Sequence, residues 1–116
     1  MEEIYQIADV NFSTADADYP NISFNNSGAL FLEFKDWREE FVRLKFTEVL
    51  GFKWDECDLN QGERDDVTYE ILNSLWVRRL TEHNLATEDH RHYKLCFNAA
   101  GNFDIVFKEL EVSVVN

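Results

Sequence analysis

Apolar and polar residues alternate with a period of two through most of this chain, the signature of half-buried β-strands. The clearest run is Phe41 to Trp54, where Val42, Leu44, Phe46, Leu50, Phe52 and Trp54 share one parity and Arg43, Lys45, Thr47 and Lys53 the other. It predicts a long strand. Glu48 falls on the apolar side of that strand and Gly51 follows closely, which predicts a bulge, a bend or a break into two strands. Upstream, Leu30, Leu32 and Phe34 alternate with Glu33 and Lys35, and a Ser27-Gly28 turn separates them from the short stretch Ile22 to Phe24. Asp36 to Glu40 joins this strand to the long one. The polar connection Ser13 to Pro20, which holds the sole proline, reads as a loop.

Towards the carboxyl end, Tyr93, Leu95 and Phe97 alternate with His92, Lys94 and Cys96. The turn chemistry of Asn98 to Asn102 follows, and Phe103, Ile105 and Phe107 resume the pattern, so a β-hairpin is expected. Leu110, Val112 and Val114 then take the opposite parity, which predicts a bulge or kink around Lys108-Glu109. The segment Asp65 to His83 admits one long helix, or a strand Val67 to Ile71 followed by a short helix. Val67-Thr68-Tyr69-Glu70-Ile71 is β-branched and aromatic, which favours the strand. Ser74 then caps a helix with Leu75, Trp76, Val77 and Leu80 available to its buried side and Arg78 and Arg79 near its end. The expected fold class is α+β: a mostly antiparallel β-sheet in one or two packed layers with one short helix, forming a single domain over residues 1–116.

Composition adds a constraint that the pattern does not. Of 116 residues 45% are hydrophobic, with ten Phe, four Tyr and three Trp, too apolar a chain to stay disordered. The formal net charge is −12, whereas a magnitude of about 2 to 8 keeps a small domain soluble. The excess costs stability through self-repulsion, repels nucleic acid and anionic membranes, and attracts basic proteins. A purely solubilising surface is the competing explanation. Met1-Glu2-Glu3 is no charged-then-apolar leader, and no apolar run approaches the roughly 18 residues of a spanning helix, so a cytoplasmic location is expected.

Candidate chemistry is sparse. His90-Arg91-His92 would set two imidazoles on one face of a strand, yet no Cys-x-x-Cys or His-Glu-x-x-His completes a metal set. Asp58 to Gly62 hints at a calcium loop whose later ligands do not follow. Cys57 and Cys96 are too few for a disulfide framework, and the carboxylates around Cys57 disfavour its thiolate. No nucleophile motif or phosphate-cradling glycine loop occurs. The chain is therefore expected to bind rather than catalyse, with no catalytic residue, metal or cofactor. Six carboxylates, Asp55, Glu56, Asp58, Glu63, Asp65 and Asp66, crowd twelve residues directly after Trp54. Aromatic anchors beside an acidic patch suit a basic protein partner, and Trp37 between Asp36 and Glu39-Glu40 forms a second such group. The competing reading is a small-ligand or regulatory module whose sheet encloses an aromatic-lined pocket.

Tyr69 to Val77 (Tyr-Glu-Ile-Leu-Asn-Ser-Leu-Trp-Val), His92 to Asn98 (His-Tyr-Lys-Leu-Cys-Phe-Asn) and Gly101 to Ile105 (Gly-Asn-Phe-Asp-Ile) resemble a pattern in small bacterial immunity proteins of polymorphic toxin and contact-dependent growth-inhibition systems. The resemblance covers roughly the last half of the chain and rests on framework elements: a strand, a Ser-x-Trp turn into a helix, and a hairpin. It implies a cytosolic protein that binds one cognate toxin domain, often a nuclease, and blocks its active site or substrate groove. It carries over no contact residue.

Overall fold

The structure, a computed structural model, describes residues 2–56, 64–98 and 100–115. Its elements run β1 (Ile4–Ile7), β2 (Asn21–Phe24), β3 (Leu30–Lys35), β4 (Phe41–Thr47), β5 (Gly51–Asp55), β6 (Thr68–Leu72), α1 (Leu75–Glu82), β7 (Arg91–Phe97), β8 (Gly101–Phe107) and β9 (Glu109–Val115). The strands form two antiparallel sheets, one of five in the order β1-β6-β7-β8-β5 and one of four in the order β2-β3-β4-β9. This is the α+β class that the periodicity predicts, and it takes the two-layer form.

The alternation places the core. Leu30, Leu32 and Phe34 of β3 and Val42, Leu44 and Phe46 of β4 meet Tyr93, Leu95 and Phe97 of β7 and Phe103, Ile105 and Phe107 of β8 in one buried cluster. Phe34 meets Phe97 edge-on at 5.1 Å between ring centroids, and Phe46 meets Phe107 at 4.9 Å. Such pairs add about 0.5–1.5 kcal/mol to the burial of their rings. Six of the ten phenylalanines, Phe12, Phe34, Phe46, Phe97, Phe103 and Phe107, are buried here.

The run Phe41 to Trp54 is two strands in two different sheets, not one continuous strand. In register, Thr47 faces Glu109 and Gly51 faces Val106. Glu48, Val49 and Leu50 therefore stand against only Phe107 and Lys108, an extra residue that bends the paired strands from one sheet into the other. Glu48 takes a left-handed φ of 49°. The Lys108 N–H donates to the Thr47 carbonyl at 3.0 Å and the Leu50 N–H to the Val106 carbonyl at 2.9 Å. The break at Glu48 and the kink at Lys108-Glu109 are thus one corner seen from its two strands.

Residues 65–83 form β6 and then α1, with Asn73 at φ 55° turning the chain between them. The Ser74 Oγ accepts the Val77 N–H at 3.2 Å, capping the helix. Two departures stand out. The edge strand β1 is too short and too exposed for its pattern to announce it. His90 precedes β7 rather than sharing its face with His92: a turn closed by the His90 N–H on the Thr87 carbonyl at 3.1 Å holds it, and its Nδ1 accepts the Thr87 N–H at 3.0 Å.

The helix lies close to the corner. A Cβ built on Gly51 would stand 2.7 Å from Cζ2 of Trp76. Gly51→Ala should therefore cost about 1–3 kcal/mol in urea unfolding, and adding Trp76→Phe should recover part of the loss.

Candidate functional site

Directly opposite residues of antiparallel strands share a face. Ile22 and Phe24 face Leu32 and Leu30, and Phe52 and Trp54 face Ile105 and Phe103, so all four turn toward the space between the sheets. Their strands, β2 and β5, are edge strands that come together on one side of the sandwich. Phe24 meets Phe52 at 6.1 Å and Phe52 meets the buried Phe103 at 5.8 Å. Inner-face side chains are normally covered, yet Ile22 is 41%, Phe24 54% and Phe52 45% exposed. The sandwich is open along this rim and shows its core to solvent.

Exposed Leu50 extends the rim at the corner, and exposed Tyr19 stands two residues before β2. Carboxylates close both ends. Glu48 precedes Leu50 at the corner, Glu56 follows β5, and Asp18 precedes Tyr19; all three are exposed. The outer side of the four-stranded sheet differs, because Arg43 lies 4.3 Å over the Phe31 ring and pairs with Glu33, and Lys45 pairs with Glu111. That face answers its own charges.

The residues proposed from sequence divide accordingly. Trp54 is half-buried, its ring stacked on Phe97 at 6.1 Å, and exposed Glu56 follows the same strand, whereas Asp55 turns to the opposite side of the sheet, where it pairs with Lys53 at 3.9 Å. Asp65 is exposed and Asp66 pairs with Arg64 at 3.2 Å. The Arg64 N–H donates to the Tyr69 hydroxyl, so this pair of acids belongs beside β6, with β7 and β8 between it and β5. Asp58 and Glu63 lie outside the described residues, as do Cys57 and the stretch Asp58 to Gly62. Trp37 is exposed on the β3–β4 turn, with the Arg38 guanidinium 5.6 Å from its ring. The buried Asp36 carboxylate builds that turn by accepting the Arg38 and Glu40 N–H groups, both at 2.9 Å.

A second arrangement, on the far side of the five-stranded sheet, escaped the sequence reading. The Ser74 Oγ lies 2.8 Å from His92 Nδ1, and His92 Nε2 lies 2.7 Å from the Asp104 carboxylate. The Asp104 carboxylate only accepts, so it takes the Nε2–H, and in that tautomer of the neutral ring Nδ1 accepts the Ser74 hydroxyl proton. These are the residue types of a serine hydrolase relay. Here the serine oxygen caps α1 and its residue is 4% exposed, so the chain fastens the helix to the sheet. Among the described residues no three His, Cys, Asp or Glu side chains group to hold a metal ion, and no helix is long and apolar enough to cross a membrane.

No protein-family model matches the chain, and no curated protein or solved structure compared with it shows a significant similarity. Ser74→Ala removes both the cap and the partner of His92 Nδ1, and should cost about 1–3 kcal/mol in urea unfolding. Ser74→Asp keeps a capping oxygen but faces Asp104 across the imidazole, and by restoring the cap it should retain more of the stability than the alanine variant does.

Proposed function

We propose that this is an immunity protein that binds one cognate bacterial toxin domain, a nuclease with a basic substrate groove, and neutralises it by covering that groove. The observation that carries the reading is the rim: an apolar stripe of Ile22, Phe24 and Phe52 with Glu48 at one end and Glu56 and Asp18 at the other. Apolar anchors inside a charged border form the usual centre of a protein interface.

The charge distribution points to the same class of partner. Arg38, Arg43, Lys45, Lys53, Arg64 and Lys108 each pair with a carboxylate of the chain itself. The remaining field is dominated by exposed acids such as Asp9, Glu39, Glu56, Asp65, Glu88 and Asp89. A nuclease holds phosphates with a basic surface, and a carboxylate array competes for that surface by presenting the same sign of charge. On this reading Asp55, Asp65 and Asp66, turned or set away from the rim, speed the encounter, while Trp54 and Glu56 contribute at the contact. The protein acts in the cytoplasm, takes no cofactor, and binds neither nucleic acid nor membrane.

The test is co-expression with candidate toxin domains, followed by binding kinetics over a salt series. Neutralisation by a one-to-one complex whose association slows with salt is the expected result. Asp18→Asn with Glu56→Gln should slow association about three- to tenfold, and Phe52→Ala should raise dissociation about thirtyfold, as for an interface anchor. A partner captured with no salt dependence, or one indifferent to both variants, contradicts the reading.

A further inference from the structure

In an antiparallel pair, residues alternate between pointing their N–H and C=O at the neighbouring strand and pointing them away from it. The Asn25 N–H donates to the Ala29 carbonyl at 3.0 Å, one step beyond the Phe24–Leu30 pair of β2 and β3. Ser23 and Asn21 therefore bond to β3 as Asn25 does, and Ile22 and Phe24 turn their backbone groups away from it. The next pair of strands agrees. There the Asp36 N–H donates to the Glu40 carbonyl at 3.0 Å, which assigns Leu30, Leu32 and Phe34 to β4 and leaves Phe31 and Glu33 to β2.

Among the described residues no strand pairs with β2 on that outward side. Proteins usually blunt such an edge with charge, proline or a bulge. The four residues Asn21, Ile22, Ser23 and Phe24 carry none of these, whereas edge strand β5 holds Lys53 and Asp55, and edge strand β9 holds Glu109 and Glu111. Free backbone and exposed apolar side chain thus fall on the same two residues. Asp16 and Asp18, both exposed, precede β2 and outnumber Lys35, whose carbonyl accepts the Asp18 N–H at 3.0 Å. At the other end the Val49 N–H donates to the Gly28 carbonyl at 3.2 Å, which sets the turn after β2 beside Glu48, an acid partly answered by Lys108 at 3.4 Å.

We propose that β2 takes on an extended segment of the toxin domain as a fifth strand of its sheet, a segment with apolar residues at alternate positions and basic residues at its ends. This rests on the rim as the docking place and specifies how the partner engages it. Ile22 and Phe24 offer two N–H donors and two carbonyl acceptors, so main-chain pairing supplies affinity and side chains supply specificity. Residues opposite Ile22 and Phe24 share their face and enter the space between the sheets beside Phe52, which requires every second residue of the segment to be apolar. The basic ends answer the acids before β2 and the field of the whole chain. A second copy is the poorer occupant, because it brings its own charge of −12 to the edge.

The experiment titrates the full chain with the capped peptide Lys-Val-Thr-Val-Thr-Val-Lys, following backbone amides by ¹H–¹⁵N NMR and ring signals by ¹H–¹³C NMR. Saturable shifts at the Ile22 and Phe24 amides, larger than at Ser23, are expected. Ile22→Pro removes an N–H that points away from β3, a place where an edge strand tolerates proline, and should bind the peptide about tenfold more weakly than Ile22→Ala does. The same peptide with proline for its middle valine should also bind about tenfold more weakly, a test that leaves the chain unaltered. No saturable shift, equal binding by the proline peptide, or a chain that dimerises through β2 before peptide is added overturns the proposal. Shifts confined to the Phe24 and Phe52 rings, with both amides unmoved, overturn strand addition and leave the rim as the docking place, which the co-expressed toxin domain tests separately.

Discussion

Glu48, Val49 and Leu50 stand against only two residues, Phe107 and Lys108, where a pair of strands leaves one sheet and enters the other. Two backbone hydrogen bonds hold the bend, and the Lys108 ammonium lies 3.4 Å from the Glu48 carboxylate across it. Without the extra residue β4 and β5 would continue in one plane, and the even-numbered apolar side chains from Val42 to Trp54 would have no second layer to meet. With it, the two halves of a single alternating run supply opposite walls of one core. The same bend sends β5 to an edge beside β2, which brings Phe24 and Phe52 together at the open side. The rim is thus a consequence of the corner.

Much of this was legible in the chain because the period-two pattern depends only on local backbone geometry. The β7–β8 hairpin, the strand before α1, the cap at Ser74 and the kink at Lys108-Glu109 all follow from residues close in sequence. The parity slip at Lys108 and the acid at Glu48 marked both sides of the corner, although sequence alone does not show that they face each other. The four residues of β1 lack enough alternation to stand out from a terminal segment. Exposure at Ile22, Phe24 and Phe52 is a property of strand order: their spacing marks inner-face residues, and only the edge positions of β2 and β5 leave them uncovered. Trp54 followed by Asp55 and Glu56 was visible as aromatic and acid in succession, whereas the distance of Asp65 and Asp66 from them depends on β7 and β8 lying between. The Ser74–His92–Asp104 chain joins residues 18 and 12 positions apart, which no short motif encodes.

Charge and packing pull this molecule in opposite directions. A net charge of −12 favours expansion, and a densely buried aromatic core opposes it. The acids nevertheless leave the two sides of β5 chemically distinct. β5 divides them: on one side Phe52 and Trp54 offer apolar surface bordered by carboxylates, and on the other Lys53, Arg79 and Lys94 share a polar hollow with Glu3, Asp55 and Asp104. Self-association at the apolar side would oppose two like-charged chains, whereas a basic partner would be drawn to its acidic ends.

If the proposed function holds, the toxin domain sits on the β2–β5 rim. Amide hydrogen exchange on the isolated protein and on its complex with that domain measures this directly, since contact slows exchange in the strands it covers. The account predicts added protection over residues 21–24 and 50–56, with little change on the outer side of β3, β4 and β9. Protection confined to that outer side, with β2 and β5 exchanging as they do in the free protein, would contradict it.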